Sequence, residues 1–494
     1  MLTLRDVRRG RWALTALLLV WLAIAYWQTH KSLPPGTHLA PGWQPLPSSA
    51  IAFVADLTAA DAYGRPIVSH AIFDEMLNVI AGAQDFVVLD YFRLDDSGVD
   101  GVPLPLRPLG EQLRAALIAR RQAVPALRVL LLVDPIEEGY GGEPSHELEL
   151  LRAAGIEVVT VDLERLRDSN FLYSSLWRMT MRWWGHGSGA GWLPNLRTVG
   201  PTRLTLRGLG RLLNFKSDRR SLIVADDGAG GLSGVISSGS PAMAESADSN
   251  VAVHLHGPVL QPLLASELEL ARFSGWHGSM ATPLDRSANS SATDSGARAQ
   301  LLTEGAMRDA LLERIDATAR GDGIDIAMLY LSHRSVLDAL LAASRRGVSI
   351  RLILDPNEDA SASVGSGMPN QPTASEIMAV SDSAIRVRWY RTHGERFHGK
   401  VVLIHDRERL WVTLGSASLT RRALDDYDLD ASVALEIDLT SGLARQMLDY
   451  FDTLWNNRAP AGIEYTADPG VFADPSQVRY WGLRLMEALG LSTF

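Results

Sequence analysis

His398 and Lys400 stand two residues apart at the head of an apolar run, FHGKVVLI. Successive side chains of a strand point to opposite faces, so positions i and i+2 share one face. The spacing therefore predicts an imidazole and an ammonium side by side at a strand start. A second apolar run, Trp411–Leu414, predicts the next strand and delivers Gly415, Ser416, Ala417 and Ser418 to the same end. Imidazole is a nucleophile and proton shuttle near neutral pH. Lysine offers a compact positive charge to a phosphate oxygen, and serine can donate a hydrogen bond to one. An imidazole, an ammonium and small hydroxyls thus converge on one spot.

Other chemistries have less to stand on. The chain contains no cysteine, which excludes disulfides, thiol catalysis and cysteine-ligated metal centres. No Gly-x-Ser-x-Gly elbow or His-Glu-x-x-His signature is present. The glycine-rich GHGSGAG follows no strand and lacks a Gly-Lys-Ser/Thr ending, so it makes a poor phosphate loop. His254 and His256 alternate on a strand, but no third ligand is evident and a structural role is favoured. No metal or cofactor is implied.

The elements that must position these residues form an internal repeat. A helix-like Ile72–Ala83 leads into the strand Phe86–Phe92, then a second helix and the strand RVLLLVDP ending at Asp134-Pro135. The same order recurs in Met307–Ala319, Ile324–Leu331, VLDALLAASRRG and IRLILDP, ending at Asp355-Pro356. Short apolar runs after amphipathic helices indicate buried parallel strands with crossover helices. The expected fold is two-lobed α/β, each lobe a mixed sheet flanked by helices, in a pseudo-two-fold pair with function at the junction. The expected divisions are an anchor over 1–30, a tether over 31–48, a first lobe over 49–278, a linker over 279–299 and a second lobe over 300–494.

At the N-terminus, Arg5, Arg8, Arg9 and Arg11 precede an uncharged run from Trp12 to Trp27. That run is slightly short of the ~20 residues that span a bilayer. Interfacial Trp and Tyr and a snorkelling arginine suit a membrane helix, and the Arg-rich end should remain cytoplasmic. A cleaved signal peptide at Ala23-Ile24-Ala25 is the rival reading. Either way the globular part is exported. Ser175–Pro194 mixes four tryptophans with Arg178 and Arg182, a pattern for lipid contact or for an insertion packed over the cleft. The composition, 46% hydrophobic and 21% charged, is globular. A net charge of −10 argues against a nucleic-acid partner, whose phosphates need Lys and Arg.

These motifs resemble the phospholipase D superfamily, which carries His-x-Lys-x4-Asp followed by Gly-Ser-x-Asn twice per active site. The second copy resembles it at His398, Lys400, Gly415 and Ser416, with Ser418 in the Asn position. His405 takes the Asp position and Asp406 follows one step late. DYDLDASVAL resembles the acidic segment after the motif and places Asp430 there. The first copy, LNFKSDRRSLIVADD, is similar to the bacterial membrane-anchored phospholipase and cardiolipin synthase-like subgroup at Asn214, Phe215 and Lys216. Its catalytic positions are eroded. Arg219 replaces His and Ser221 replaces Lys, while Asp226 keeps the Asp position and Gly239-Ser240 the Gly-Ser element. Asn250 sits in the polar position of the following strand. The resemblance runs from about Ile51 to about Leu454.

The resemblance implies metal-free phosphodiester exchange on membrane phospholipids through a phosphohistidine, at a bacterial cell membrane, with an extracytoplasmic domain. His398 and Lys400 would be catalytic. Ser416, Ser418, Asn214, Lys216, Arg219, Ser240 and Asn250 would bind phosphate, and Asp226, Asp406 and Asp430 would be orienting acids. An arginine cannot be a nucleophile or a useful proton donor, because its pKa exceeds about 12. Three readings stay open: a phosphate-binding pseudoenzyme, a specialised enzyme with His398 and another acid, or two chains pooling their His398 residues. A nuclease of the same superfamily is a further alternative.

Overall fold

The computed structural model describes the chain except residues 1–3, 97–103, 143–144, 185–188, 190, 195–202, 281–295, 359–366, 459–462 and 475. Most of the expected linker, and part of the tryptophan-rich segment, lie outside the described residues. The uncharged run forms the helix α1 (Leu4–His30). Its stretch Gly10–His30 is long and apolar enough to cross a membrane. Trp12, Leu17 and Trp27 on this helix are exposed.

A short strand, β1 (Gln44–Leu46), precedes the seven strands of a first sheet. These are β2 (Ile51–Asp56), β3 (Phe86–Tyr91), β4 (Arg128–Val133), β5 (Glu157–Thr160), β6 (Ser221–Asp226), β7 (Leu232–Ser237) and β8 (Asn250–His256). A second sheet contains β9 (Ala297–Thr303), β10 (Gly323–Met328), β11 (Ser349–Leu354), β12 (Ile385–Tyr390), β13 (Lys400–His405), β14 (Arg409–Gly415), β15 (Ala431–Asp438) and β16 (Thr466–Ala467). The first sheet has the order β2-β8-β7-β6-β3-β4-β5. The second repeats it as β9-β15-β14-β13-β10-β11-β12, with β1 and β16 added at its edges. In each, three strands are parallel (β3-β4-β5 and β10-β11-β12), and the motif strand, β6 or β13, joins them antiparallel.

Alternation along the strands sorts their side chains to two faces. Val224, Val253, Leu403, Val412 and Val433 meet in one core between the sheets. The opposite faces are covered by helices: Ile72–Ile80 and Leu113–Leu117 on the first sheet, Leu311–Ile315 and Val336–Leu340 on the second. The result is four layers, helix–sheet–sheet–helix.

The segment expected as a tether is bound along the seam between the sheets. Backbone donors and acceptors that a free linker would leave to water are taken up here by both sheets. Gly36 O accepts from Ser266 Oγ and Arg220, His38 N donates to Glu304 Oε2 at 2.8 Å, and Thr303 N donates to Leu39 O at 3.1 Å. β1 then pairs with β9. α1 is likewise docked, on the helix α2 (Phe171–Met179) and the loop before it. Trp21 Nε1 donates to Leu172 O at 3.2 Å, Asp168 N to Gln28 O at 3.1 Å, and Lys31 Nζ to Glu164 O at 2.8 Å.

Candidate active site

The two motif segments meet across the seam through a reciprocal set of hydrogen bonds. Ser249 N donates to Arg396 O at 3.0 Å, and Leu429 N donates to Ser217 O at 3.0 Å. Arg396 N donates to Asp248 Oδ1 at 2.8 Å, and Ser217 N to Asp428 Oδ1 at 3.0 Å. Each parallel sheet centre contributes a strand-end carboxylate. Asp355 Oδ2 accepts from Phe397 N at 2.6 Å, and Asp134 Oδ2 accepts from Asp218 N at 2.7 Å. These bonds place His398 and Arg219 as counterparts, each following a backbone N–H pinned by the end of a central strand.

His398 Nδ1 lies 3.0 Å from Asn250 Oδ1. Asn250 Nδ2 donates to the Asp248 carbonyl, which fixes the amide so that its oxygen faces the imidazole. An oxygen can only accept, so Nδ1 carries the proton and Nε2 keeps the lone pair. Lys400 Nζ lies over the ring, 3.3 Å from Nδ1 and 3.4 Å from Nε2, and donates to Ser238 O. Burial holds the His398 imidazole well below its usual value, reinforced by the charges of Lys400, Arg396 and Arg219. Burial also lowers the Lys400 ammonium to about 7, against the pull of Asp430 and Glu245.

The counterpart of Asn250 is Asp430, which faces Arg219. Burial pushes its carboxyl up to about 7; Arg219 opposes the shift and Asp428 adds to it. Its Oδ1 accepts from Ser416 Oγ at 2.8 Å, while the buried Oδ2 has no hydrogen-bond partner among the described residues. Arg219 Nε is 3.4 Å from Asp428 Oδ2, and its Nη2 donates to Thr493 O at 3.1 Å. A pocket of ≈ 30 Å³ beside the site is lined by Ser240, Glu245, Asp248 and Asn250. The arrangement supplies a neutral imidazole with a lone pair on Nε2, the Lys400 and Arg219 groups for phosphate oxygens, and a carboxyl that holds a proton up to near neutrality.

Residues 311–455, which contain His398, Lys400, Ser416 and Asp430, match the family described as cardiolipin synthase, PLD-like domain. That stretch of the chain is similar to the phospholipase D-like family.

Among solved structures, phosphatidylserine synthase of Haemophilus influenzae Rd KW20 shares the fold at a TM-score of 0.55 and 11% identity. That match covers 94% of this chain and 97% of the synthase. Polyphosphate kinase of Porphyromonas gingivalis matches at a TM-score of 0.44 and 14% identity, over 84% of this chain and 52% of the kinase. NUC, a phospholipase D family member from Salmonella typhimurium, matches at 0.26 and 22% identity, over 32% of this chain and 95% of NUC. No curated protein matches the chain.

Within this phospholipase D-like frame, the structure gathers His398, Lys400, Ser416, Asp430, Arg219 and Asn250 at one place, with Ser240 at its margin. Ser418 is buried two residues beyond Ser416. Four expected site residues lie elsewhere. Asp226 ends β6 and accepts from the backbone N–H groups of Gln84, Asp85 and Phe86. Asp406 caps the turn after β13, accepting from Glu408 N and Arg409 N. Each is separated from the motif head by a six-residue strand, about 20 Å of extended chain. Asn214 and Lys216, on either side of the left-handed Phe215 (φ 54°), lie away from the site as well. Lys216 Nζ is held by Leu166 O and Asp168.

Ser221 does not stand in for the lysine, because its hydroxyl is spent on Gly239 O. Arg220 is fully buried and bonds Glu267 and Glu304, so it is no phosphate contact. Sequence reasoning missed Glu245, Asp248 and Arg396. The two carboxylates and His398 bring ligand atoms within 4.8 Å of one another. The Arg396 guanidinium already lies between them, 3.4 Å from Glu245 Oε1 and 2.5 Å from Asp248 Oδ2. Glu245 ends a single 3-10 turn and the other two sit in irregular segments, where no period marks them.

Proposed function

We propose that the chain is a phospholipid phosphodiesterase or phosphatidyltransferase that uses His398 as its nucleophile. The observation that carries this is the Asn250-held imidazole, neutral and with its lone pair on Nε2, beside Lys400. The Nε2 lone pair attacks phosphorus, and the bond from phosphorus to the leaving alcohol oxygen breaks. That oxygen takes the electron pair and a proton. With no second histidine, Asp430 is the donor we assign, because its raised carboxyl is protonated up to near neutrality. General acid help of this kind contributes about 10² to 10⁴-fold. Water or a second alcohol then attacks the phosphohistidine, breaks the phosphorus–nitrogen bond and returns its proton to Asp430. Lys400 and Arg219 hold the phosphate oxygens throughout. α1 is read as a membrane span that keeps the basic N-terminus in the cytoplasm and the folded domain outside, at a bacterial cell membrane.

A second reading, a phosphate-binding pseudoenzyme, is favoured by Arg219 in the place of the second histidine. Full-length protein in vesicles of mixed phospholipids separates the two. Released headgroup and exchanged lipid are followed by mass spectrometry. The enzyme reading expects turnover that falls about 10³-fold or more in His398→Ala. A silent wild type that gains activity as Arg219→His/Ser221→Lys would establish the pseudoenzyme instead.

A further inference from the structure

A cavity of ≈ 270 Å³ opens where β4 and β5 end, away from His398. Trp177 from α2, Arg211 from the helix α3 (Leu206–Leu212), and Asn214 and Lys216 from the loop after α3 line one wall. Three buried polar atoms of these lining residues have no hydrogen-bond partner among the described residues. They are the Trp177 Nε1–H, the Arg211 Nε–H and the Asn214 Oδ1. Trp177 and Asn214 are 1% and 6% exposed, so bulk water does not compensate them. Folding tolerates such groups at a cost, and a ligand that matches them recovers it. A Cβ at Gly210 would come within 2.8 Å of the indole nitrogen, so this glycine lets the indole pack closely against α3.

Charge indicates the ligand's sign. Arg178 and Lys216 share Asp168, and Arg182 and Arg211 share Glu164, which leaves four cations on two carboxylates. Lys31 lies beside them, and burial, reinforced by the charges of Lys216 and Arg178, lowers its ammonium to about 7. Glu138 and Asp162, the other carboxylates of the wall, have partners of their own in Arg152 and Arg165. Two unused N–H donors in a positive field suit phosphate oxygens. The unused amide oxygen suits a hydroxyl or ammonium on the same molecule. Position indicates the source, since at the end of α1 Gln28 O accepts from Asp168 N and Lys31 Nζ donates to the Glu164 backbone carbonyl.

We propose that this cavity is a second, non-catalytic site for a phosphate-bearing headgroup, and that its occupant is a phospholipid of the membrane that α1 enters. The phosphate chemistry stands apart from the reaction at His398, whereas the lipid source rests on the reading of α1 as a span.

Native mass spectrometry of the full-length His398→Ala chain in detergent, with added phosphatidylglycerol or phosphatidylethanolamine, tests the site without requiring turnover. Lipid retained by the cavity should persist in His398→Ala/Lys400→Met, which strips the catalytic pair. It should fall about tenfold when Trp177→Phe and Arg211→Gln are combined, because two donors to a charged group are lost. Arg211 is half-exposed, so Arg211→Gln alone keeps the fold and should give part of that loss. Equal retention in the parent and both pocket variants would overturn the site. Inorganic phosphate and glycerol 3-phosphate form the control arm. Failure of either to displace lipid supports the lipid source. Binding of these soluble ions with no lipid retained would overturn it.

Discussion

Asn250 is the residue on which the chemistry of His398 turns, because its amide oxygen decides which imidazole nitrogen is protonated. Asn250→Asp would place a negative charge there and raise the histidine's pKa. The acid limb of the pH–rate profile should then move to higher pH, by a unit or so; an unmoved limb would remove Asn250 from this role. Asp430 sets the other limb. Its folded carboxyl is raised to about 7, so the proton it donates is present below that value and lost above it. Lys400, lowered to about 7, loses its charge over the same range. Activity should therefore decline as pH rises through 7, and Asp430→Asn should lower it about 10²-fold or more. A profile flat from pH 6 to 9 would exclude Asp430 as the acid. His398 and Lys400 were legible in the sequence because two residues of strand suffice to put them on one face. Asp226 and Asp406 were misplaced because motif spacing carries no sense of length, and the strand between takes each to the far end of its sheet. Asn214 and Lys216 adjoin Arg219 in sequence, yet a single left-handed residue sends them to another cavity.

At the level of elements, β6 and β13 present their motif heads toward each other, and β7 and β14 bring the two Gly-Ser turns alongside. The apolar runs and the order helix, strand, helix, strand made both sheet centres readable. The seam was not, since it depends on Ser249, Asp248, Leu429 and Asp428, which meet their partners only after both sheets have formed. Gly239, at the end of β7, lies so close to Asn250 that a Cβ would approach the amide carbon to 2.7 Å. Gly239→Ala should displace Asn250 from His398 and cut turnover more than tenfold, with a stability loss of about 1–3 kcal/mol. Kinetics read beside a denaturant titration check this. Unchanged turnover would mean that the amide does not position the histidine.

Across the whole molecule, the two sheets are joined by a buried charge cluster as well as by apolar packing. Arg220 Nη1 donates to Glu267 at 2.7 Å and Nη2 to Glu304 at 2.7 Å, and Glu304 in turn accepts from Asp430 N and His38 N. Arg220→Met would leave those carboxylates buried without their cation. A loss of about 3–5 kcal/mol is expected in chemical denaturation; a loss under about 1 kcal/mol would show that hydrophobic contacts alone hold the seam. The same cluster fastens the segment after α1, which the sequence had suggested was a tether, and α1 itself is held to α2 and the loop before it by Trp21, Gln28 and Lys31. With α1 read as a span, this attachment has a kinetic meaning. A catalytic domain on a stiff stem cannot swing out to sample other surfaces, so it works at a set height and tilt over its own leaflet. Its effective substrate concentration is then a two-dimensional density, the mole fraction of the right lipid within reach. Diluting that lipid with inert neighbours should slow the enzyme, whereas adding more vesicles of unchanged composition should not speed it.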